Sequence, residues 1–161
     1  MDQSILRIDL LSQTKGDLSK KSFLPTIAEV FGITLKHRRN GLRNAAERIN
    51  MDNVQRDIHS FSQVFTGAIY DLLAVVFRDR FINSNETMKM EEVLEKVAKD
   101  IRYLTLLTFL EMDFSDPSFS DMRKLMKRIS REYKRFEYLS DDISRIFKDR
   151  GILFVRGHSR M

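Results

Sequence analysis

The stretch between Val64 and Phe77 is almost continuously apolar, and this run most constrains the fold. A helix over these residues would be hydrophobic around most of its circumference, which is typical of a helix buried inside a domain. We therefore expect a buried central helix over residues 62–81, with the rest of the chain packed around it.

Four residues interrupt the apolar run: Thr66, Gly67, Tyr70 and Asp71. Because a membrane span needs about 20 mostly apolar residues, these interruptions predict no membrane span. A glycine inside a helix costs roughly 1 kcal/mol relative to alanine, so Gly67 is expected to allow the close approach of another element. Tyr70 and Asp71 carry polar groups into a buried helix and need partners there, which favours structural roles for both.

The rest of the sequence also favours helices. Six glycines and two prolines leave few residues for turns, and no stretch keeps the period-2 alternation of a half-buried strand. We expect one domain over residues 1–161, an all-α bundle of about five to seven helices around the central one.

Apolar residues at helical spacing predict the other helices. They cover residues 4–13, residues 23–31, and a long helix from Ser84 or Asn85 to about Leu110. For the next helix, Asp116 followed by Pro117 competes as a start with Ser118 and Asp121, and a last helix runs from Ser140 to a stop at Gly151. The helix after the connector is expected to turn one apolar stripe inward: Met122, Leu125, Met126, Ile129, Tyr133 and Phe136.

Positive charge is concentrated in one part of the chain, whose net charge is +5. Residues 123–135 hold seven Lys or Arg against one acid, Glu132, which makes +6, and residues 36–39 form a second basic stretch. Such a run can attract an anionic partner, but it is more often the solvated face of an amphipathic helix. Because it lacks interleaved exposed aromatic residues for base stacking, nucleic acid is not the expected partner.

Cysteine is absent, which rules out a disulfide or a thiolate metal site. The first residues, Met-Asp-Gln-Ser, lack the basic and apolar segments of a signal peptide, so a cytoplasmic location is the default expectation.

His59 lies at the entrance of the central helix, with Asp57 two residues before it. A titratable side chain at the mouth of a buried helix is where a pocket is expected. From its spacing alone, His59 is more often a helix-entry histidine with a hydrogen-bond partner. Asp57, or equally Asp52, is placed to accept the second ring N–H of His59 and fix its tautomer.

A longer pattern around this histidine consists of His59, Ser62, Val64, Phe65, Thr66, Gly67, Ala68, Tyr70 and Asp71. This pattern resembles the start of the long C-terminal-domain helix in thermolysin-like zinc metallopeptidases, the gluzincins. Three other segments, residues 41–44, 116–121 and 147–152, resemble parts of the same family in the same order. The resemblance covers most of residues 10–152.

The resemblance implies site residues and a substrate class. In that family a histidine at the position of His59 donates a hydrogen bond to the oxyanion of the tetrahedral intermediate. By the same resemblance, Arg43 holds the substrate carbonyl, Leu42 lines the specificity pocket, and the substrate is a peptide or protein. A plain surface arginine remains an equal alternative for Arg43. If the resemblance holds, His59 and Arg43 face a shared cleft.

Zinc ligands are the feature in which this sequence departs from the family. The family binds zinc through His-Glu-x-x-His, and this chain has only His37, His59 and His158, none of them four residues apart. The resemblance therefore implies the C-terminal helical half of a metallopeptidase-like protein, with no cofactor held by this chain and no hydrolysis by it alone. The alternative, from another class, is a non-enzymatic helical interaction module whose basic surface binds a protein or an anionic partner.

A domain that lacks its zinc-bearing half is expected to expose the surface which that half would cover. The resemblance places this surface around Leu42, Phe61, Val64 and Phe65. Exposed apolar patches of a few hundred Å² usually mark interfaces. We therefore expect self-association, a bound partner, or an N-terminal helix packed over the gap.

Overall fold

The computed structural model describes residues 11–20, 48–54, 58–83, 89–113, 115 and 118–153, without the side chains of Ile58 and His59. In these ranges it contains helices and no strand, which confirms the all-α prediction. The five elements are α1 (Ile58–Asn83), α2 (Met90–Glu111), α3 (Phe119–Glu132), a 3₁₀ helix (Glu137–Leu139) and α4 (Ser140–Asp149).

Helix α1 is the predicted central helix, and it extends slightly beyond residues 62–81 at both ends. Val64, Leu72 and Phe77 are fully buried in the core. Helices α2 and α4 both pack against α1, and α3 packs against α2 and α4. The apolar run therefore supplies the surface around which the described helices are arranged.

Length and composition alone would let α1 cross a membrane, over Ser60–Asn83. The residues that interrupt the apolar run, Thr66, Gly67, Tyr70 and Asp71, therefore do not by themselves exclude a membrane span. In the described structure this helix forms the core, and the absence of a membrane span stays a prediction.

Helix α2 begins later than predicted. It starts at Met90, and Lys89 before it is extended and makes no side-chain capping bond. Ser84 and Asn85, the predicted caps, lie outside the described residues. The apolar residues at helical spacing that predict this helix are buried beyond its first residue, Met90: Val93, Leu94, Val97, Ile101 and Leu104.

Helix α3 begins at the second of its two predicted starts. The Ser118 hydroxyl accepts a hydrogen bond from the Asp121 backbone N–H at 3.1 Å and donates one to the Asp121 carboxylate at 2.6 Å. This side-chain cap satisfies a donor that would otherwise be unpaired at the helix end. The bond from Ser118, followed by one from Lys124, lowers the pKa of the Asp121 carboxyl.

The stripe predicted for α3 is partly wrong. Met122, Met126 and Ile129 are buried as expected, but Tyr133 is 46% exposed. Helix α3 ends at Glu132 and Tyr133 is extended, so helical spacing no longer places its side chain over the core. Phe136 is buried, but it reaches the core from the turn after the helix.

Helix α4 matches its prediction, with Ile143, Ile146 and Phe147 buried. It ends before Gly151, whose φ of +71° is the left-handed conformation that favours glycine at a helix stop.

The described N-terminal segment, residues 11–20, packs on α1. Residues 11–14 are helical, and Leu11 and Leu18 join the core. The Tyr70 hydroxyl donates a hydrogen bond to the Leu18 carbonyl at 2.7 Å, which supplies a partner that this buried tyrosine needs. The helix predicted over residues 23–31 lies outside the described residues.

We predict that Tyr70→Phe destabilises the fold by about 1 kcal/mol, because it leaves the buried Leu18 carbonyl without this donor. Urea unfolding measures the change. Tyr103→Phe is the matched control, since the Tyr103 side chain is exposed and its hydroxyl bonds to no described residue; its effect should stay within about 0.5 kcal/mol. Equal losses in both variants would show that the Tyr70–Leu18 bond contributes nothing.

Candidate functional site

Most of the predicted site residues lie outside the described part of the chain. The backbone of His59 is in the first turn of α1, as predicted, but its side chain is not described. Arg43, Leu42 and Asp57 are outside the described residues. The shared cleft of His59 and Arg43 therefore stays a prediction.

Close to the His59 helix entrance in sequence, the structure shows a contact between α1 and the end of α4. A Cβ atom added to Gly67 would lie 2.5 Å from Nη1 and 2.8 Å from Cζ of Arg150. These distances are far below ordinary van der Waals contact, so a side chain at position 67 would force this guanidinium group to move. The predicted close approach at Gly67 is confirmed.

The guanidinium group of Arg150 donates hydrogen bonds to α1 and to the loop that precedes it. Its Nε donates to the Asp71 carboxylate at 2.7 Å, and its Nη1 donates to the Ile49 carbonyl at 3.0 Å. Its side chain is only 6% exposed. Gly67 and Asp71 are four residues apart and share one face of α1, so a single guanidinium meets both. Asp71 thus finds the partner that its position in an apolar helix required.

The backbone around Arg150 holds the loop that precedes α1. The Met51 N–H donates to the Arg150 carbonyl at 3.0 Å, and the Cα of Gly151 packs so closely that an added Cβ would lie 3.2 Å from Met51. Residues 48–54 are thereby tied to the end of α4 through both side-chain and backbone bonds. We call the group of Arg150, Gly67, Asp71, Ile49 and Met51 the Arg150 clamp.

The sequence patterns did not single out Arg150, although it lies in residues 147–152, one of the segments on which the resemblance is based. The sequence showed that Asp71 needed a partner, and that Gly67 faced another element. With 28 Lys and Arg in the chain, nothing in the sequence selects which cation meets them.

The apolar patch predicted at the α1 entrance is not found on the described residues. Val64 is fully buried, and Phe61 and Phe65 are half-buried. The Phe65 ring stacks on Phe119 with centroids 5.3 Å apart and meets Phe147 edge-on at 5.8 Å. The start of α3 and the end of α4 therefore cover this side of α1. Leu42 lies outside the described residues.

A second polar cluster surrounds Asp100, which is buried in α2. Its carboxylate accepts hydrogen bonds from Arg135 Nε at 2.7 Å and from the Tyr138 hydroxyl at 2.9 Å. The Arg80 guanidinium lies 3.7 Å from the centroid of the Tyr138 ring. Burial, followed by the bond to Asp100, raises the pKa of Tyr138, so this phenol remains a neutral donor.

This cluster lies at an open cavity of about 890 Å³ between the end of α1, the start of α2 and residues 134–138. Among the residues lining it, Lys96, Lys99 and Lys134 make no ion pair with a described residue. Glu92, Glu95 and Glu137 also line the cavity and offset these cations. Arg135 already pairs with Asp100, so the cavity offers a lining of mixed charge.

Most cations of residues 123–135 are engaged with the chain itself. Arg123 donates to the Ile152 carbonyl, Lys124 pairs with Asp121, Arg128 with Glu111 and Arg135 with Asp100, and Arg131 donates to the Ser140 hydroxyl. Of the seven, only Lys127 and Lys134 have side chains that form no hydrogen bond or ion pair with a described residue. The arrangement favours an intramolecular role for the basic run over a free anion-binding surface.

Within the described ranges, no group of three or more His, Asp or Glu side chains is placed to hold a metal ion. The described residues therefore do not fit a zinc ligand set. No family model, no curated protein and no solved structure matches the chain.

We predict that Arg150→Lys destabilises the fold by about 1.5–3 kcal/mol, because one ammonium group cannot reproduce both charge-assisted bonds of the guanidinium fork. Arg145→Lys on α4 is the control, since Arg145 is half exposed and, among the described residues, pairs only with Asp142 one turn away; it should change stability by less than about 0.5 kcal/mol.

Amide hydrogen exchange provides a local measurement of the same substitution. The Met51 N–H should exchange faster in Arg150→Lys than in the Arg145→Lys control, because the loop over residues 48–54 loses a side-chain anchor. Unchanged exchange at Met51 would show that the side chain of Arg150 does not hold this loop.

Proposed function

We propose that this chain is the helical C-terminal half of a metallopeptidase-like protein, which presents substrate-binding groups and does not itself hold zinc. The observation that supports this proposal is the Arg150 clamp. Two segments of the resemblance, residues 59–71 and 147–152, meet where Arg150 bonds to Asp71, 79 residues away in sequence. The loop leading to His59 is bound to the same arginine.

In the proposed role, His59 donates a hydrogen bond to the oxyanion that forms as a peptide bond is attacked. Arg43 binds the substrate carbonyl, Leu42 lines the specificity pocket, and Asp57 orients the imidazole of His59. Zinc would activate water and polarise the scissile carbonyl, and its ligands would come from residues outside this sequence. This chain alone therefore positions a substrate without cleaving it.

A non-enzymatic interaction module is the second candidate. Exposed apolar side chains on α2, among them Leu106 and Leu110, favour it, because such residues are typical of protein interfaces. The two candidates differ in what precedes Met1 in the gene: the first expects an in-frame His-Glu-x-x-His, and the second expects none.

We predict that the purified chain binds less than stoichiometric zinc after dialysis and cleaves no peptide above background, since its histidines lack ligand spacing. Metal analysis and a fluorogenic peptide mixture measure the two quantities. One zinc ion per chain that is lost in His59→Gln would contradict this account.

The positive test uses the chain extended by a preceding zinc-binding segment, once the gene shows one. In that protein, His59→Gln should lower kcat about 100- to 1000-fold with little change in KM, because the hydrogen bond forms only in the transition state. His158→Gln, a histidine with no predicted role, should leave both constants unchanged. If neither substitution changes kcat, His59 has no catalytic role. A stop codon before Met1, with no zinc motif upstream, would favour the interaction module.

A further inference from the structure

Arg80, in the last turn of α1, differs from the other cations that line the open cavity of about 890 Å³. Its guanidinium group lies over the Tyr138 ring, 3.7 Å from the ring centroid, and it makes no hydrogen bond or ion pair with a described residue. It is half-buried, whereas the lysines of the lining are exposed: Lys96, Lys99 and Lys134. A partly desolvated cation with unused donors is unfavourable, so an anion is the partner that this group requires.

The ring that carries Arg80 is itself held in place. The Tyr138 hydroxyl donates to one oxygen of the buried Asp100 carboxylate at 2.9 Å, and Arg135 Nε donates to the other at 2.7 Å. Asp100 and Arg135 neutralise each other, so Arg80 is the half-buried charge that stays without an opposite charge in contact. Stacking on the ring covers one face of the guanidinium plane and leaves the N–H donors at its edges available. These donors form a planar fork, which matches the two oxygens of a carboxylate.

Acidic residues in the same lining decide which kind of anion fits. Glu92, Glu95 and Glu137 line the cavity and are exposed. With Asp100 they make four acids against five cations, so the lining has a net charge of only +1. A polyphosphate or a nucleic acid would be repelled by these carboxylates, because placing like charges together is strongly unfavourable. A ligand that carries one carboxylate and one ammonium group matches the lining in both signs.

We propose that this cavity binds a small zwitterion, of the class of a free amino acid or a dipeptide, with its carboxylate on Arg80 and its ammonium group towards the exposed acids. The volume of about 890 Å³ is within the range of small-molecule sites. Arg80 and His59 lie at opposite ends of α1, about 30 Å apart along the helix axis. The site is therefore separate from the proposed oxyanion-binding histidine, and it does not depend on the peptidase-like role.

A nuclear magnetic resonance titration of the full chain tests the site. Each of the twenty L-amino acids, and then glycine dipeptides of those that bind, is added while the Arg80 Nε–H and the Tyr138 ring signals are followed. At least one amino acid or dipeptide should shift both signals in a saturable way. The methyl ester of the same ligand lacks the carboxylate and should bind at least about tenfold more weakly, because the charge-assisted bonds to Arg80 are lost.

Substitutions on α1 test the role of Arg80 in this binding. Arg80→Gln should weaken binding of the best ligand at least about tenfold, and Arg80→Lys, which keeps the charge without the fork, should weaken it less. Arg78→Gln is the matched control, because Arg78 is exposed on the same helix, pairs with its neighbour Asp79 and does not line the cavity. Its affinity should equal that of the unmodified chain. Circular dichroism and urea unfolding check that each variant remains folded.

Four results would overturn the proposal. The first is that no amino acid or dipeptide shifts the Arg80 and Tyr138 signals. The second is a methyl ester that binds as tightly as the free acid, which would show that the carboxylate is not recognised. The third is an equal loss of affinity in Arg80→Gln and Arg78→Gln. The fourth is tighter binding of inorganic triphosphate than of every zwitterion, which would show that the acids of the lining do not select the ligand.

Discussion

The organisation near the entrance of α1 depends on the guanidinium group of Arg150. This group occupies the space that a side chain at Gly67 would fill. A buried cation is costly unless its hydrogen bonds are satisfied. Here the Asp71 carboxylate and the Ile49 carbonyl accept two of them, so burial becomes tolerable. One side chain thereby fixes the end of α4 against the central helix and against the loop that leads to His59.

The apolar pattern predicted much of the fold because buried side chains recur at helical spacing in the sequence. This spacing predicted the burial of the helix around Val64 and the inward stripe of α4. The glycine inside α1 predicted the close approach at Gly67. The apolar pattern did not predict that α2 begins only at Met90, since Lys89 is not a capping residue. It also failed at Tyr133, where the end of α3 breaks the helical period. Arg150 could not be selected because pairing across 79 residues leaves no local signal.

The residues that carry the resemblance divide into two groups. Gly67, Asp71, Arg150 and Gly151 have structural roles in the described chain, where they place α4 and the loop against α1. The chemistry of the proposed function depends on the other group, above all His59 and Arg43. Among the described residues, the polar side chains around Arg150 and around Asp100 bond within their own clusters.

A double-mutant cycle on Gly67 and Arg150 tests the central role of the clamp most directly. Alanine is a better helix former than glycine by about 1 kcal/mol, so Gly67→Ala would stabilise an ordinary helix. With Arg150 present we predict that it destabilises, because the new Cβ would lie 2.5 Å from the guanidinium group. In the Arg150→Ala background the same substitution should become neutral or stabilising by up to about 1 kcal/mol. The same effect of Gly67→Ala in both backgrounds, measured by urea unfolding, would contradict the account.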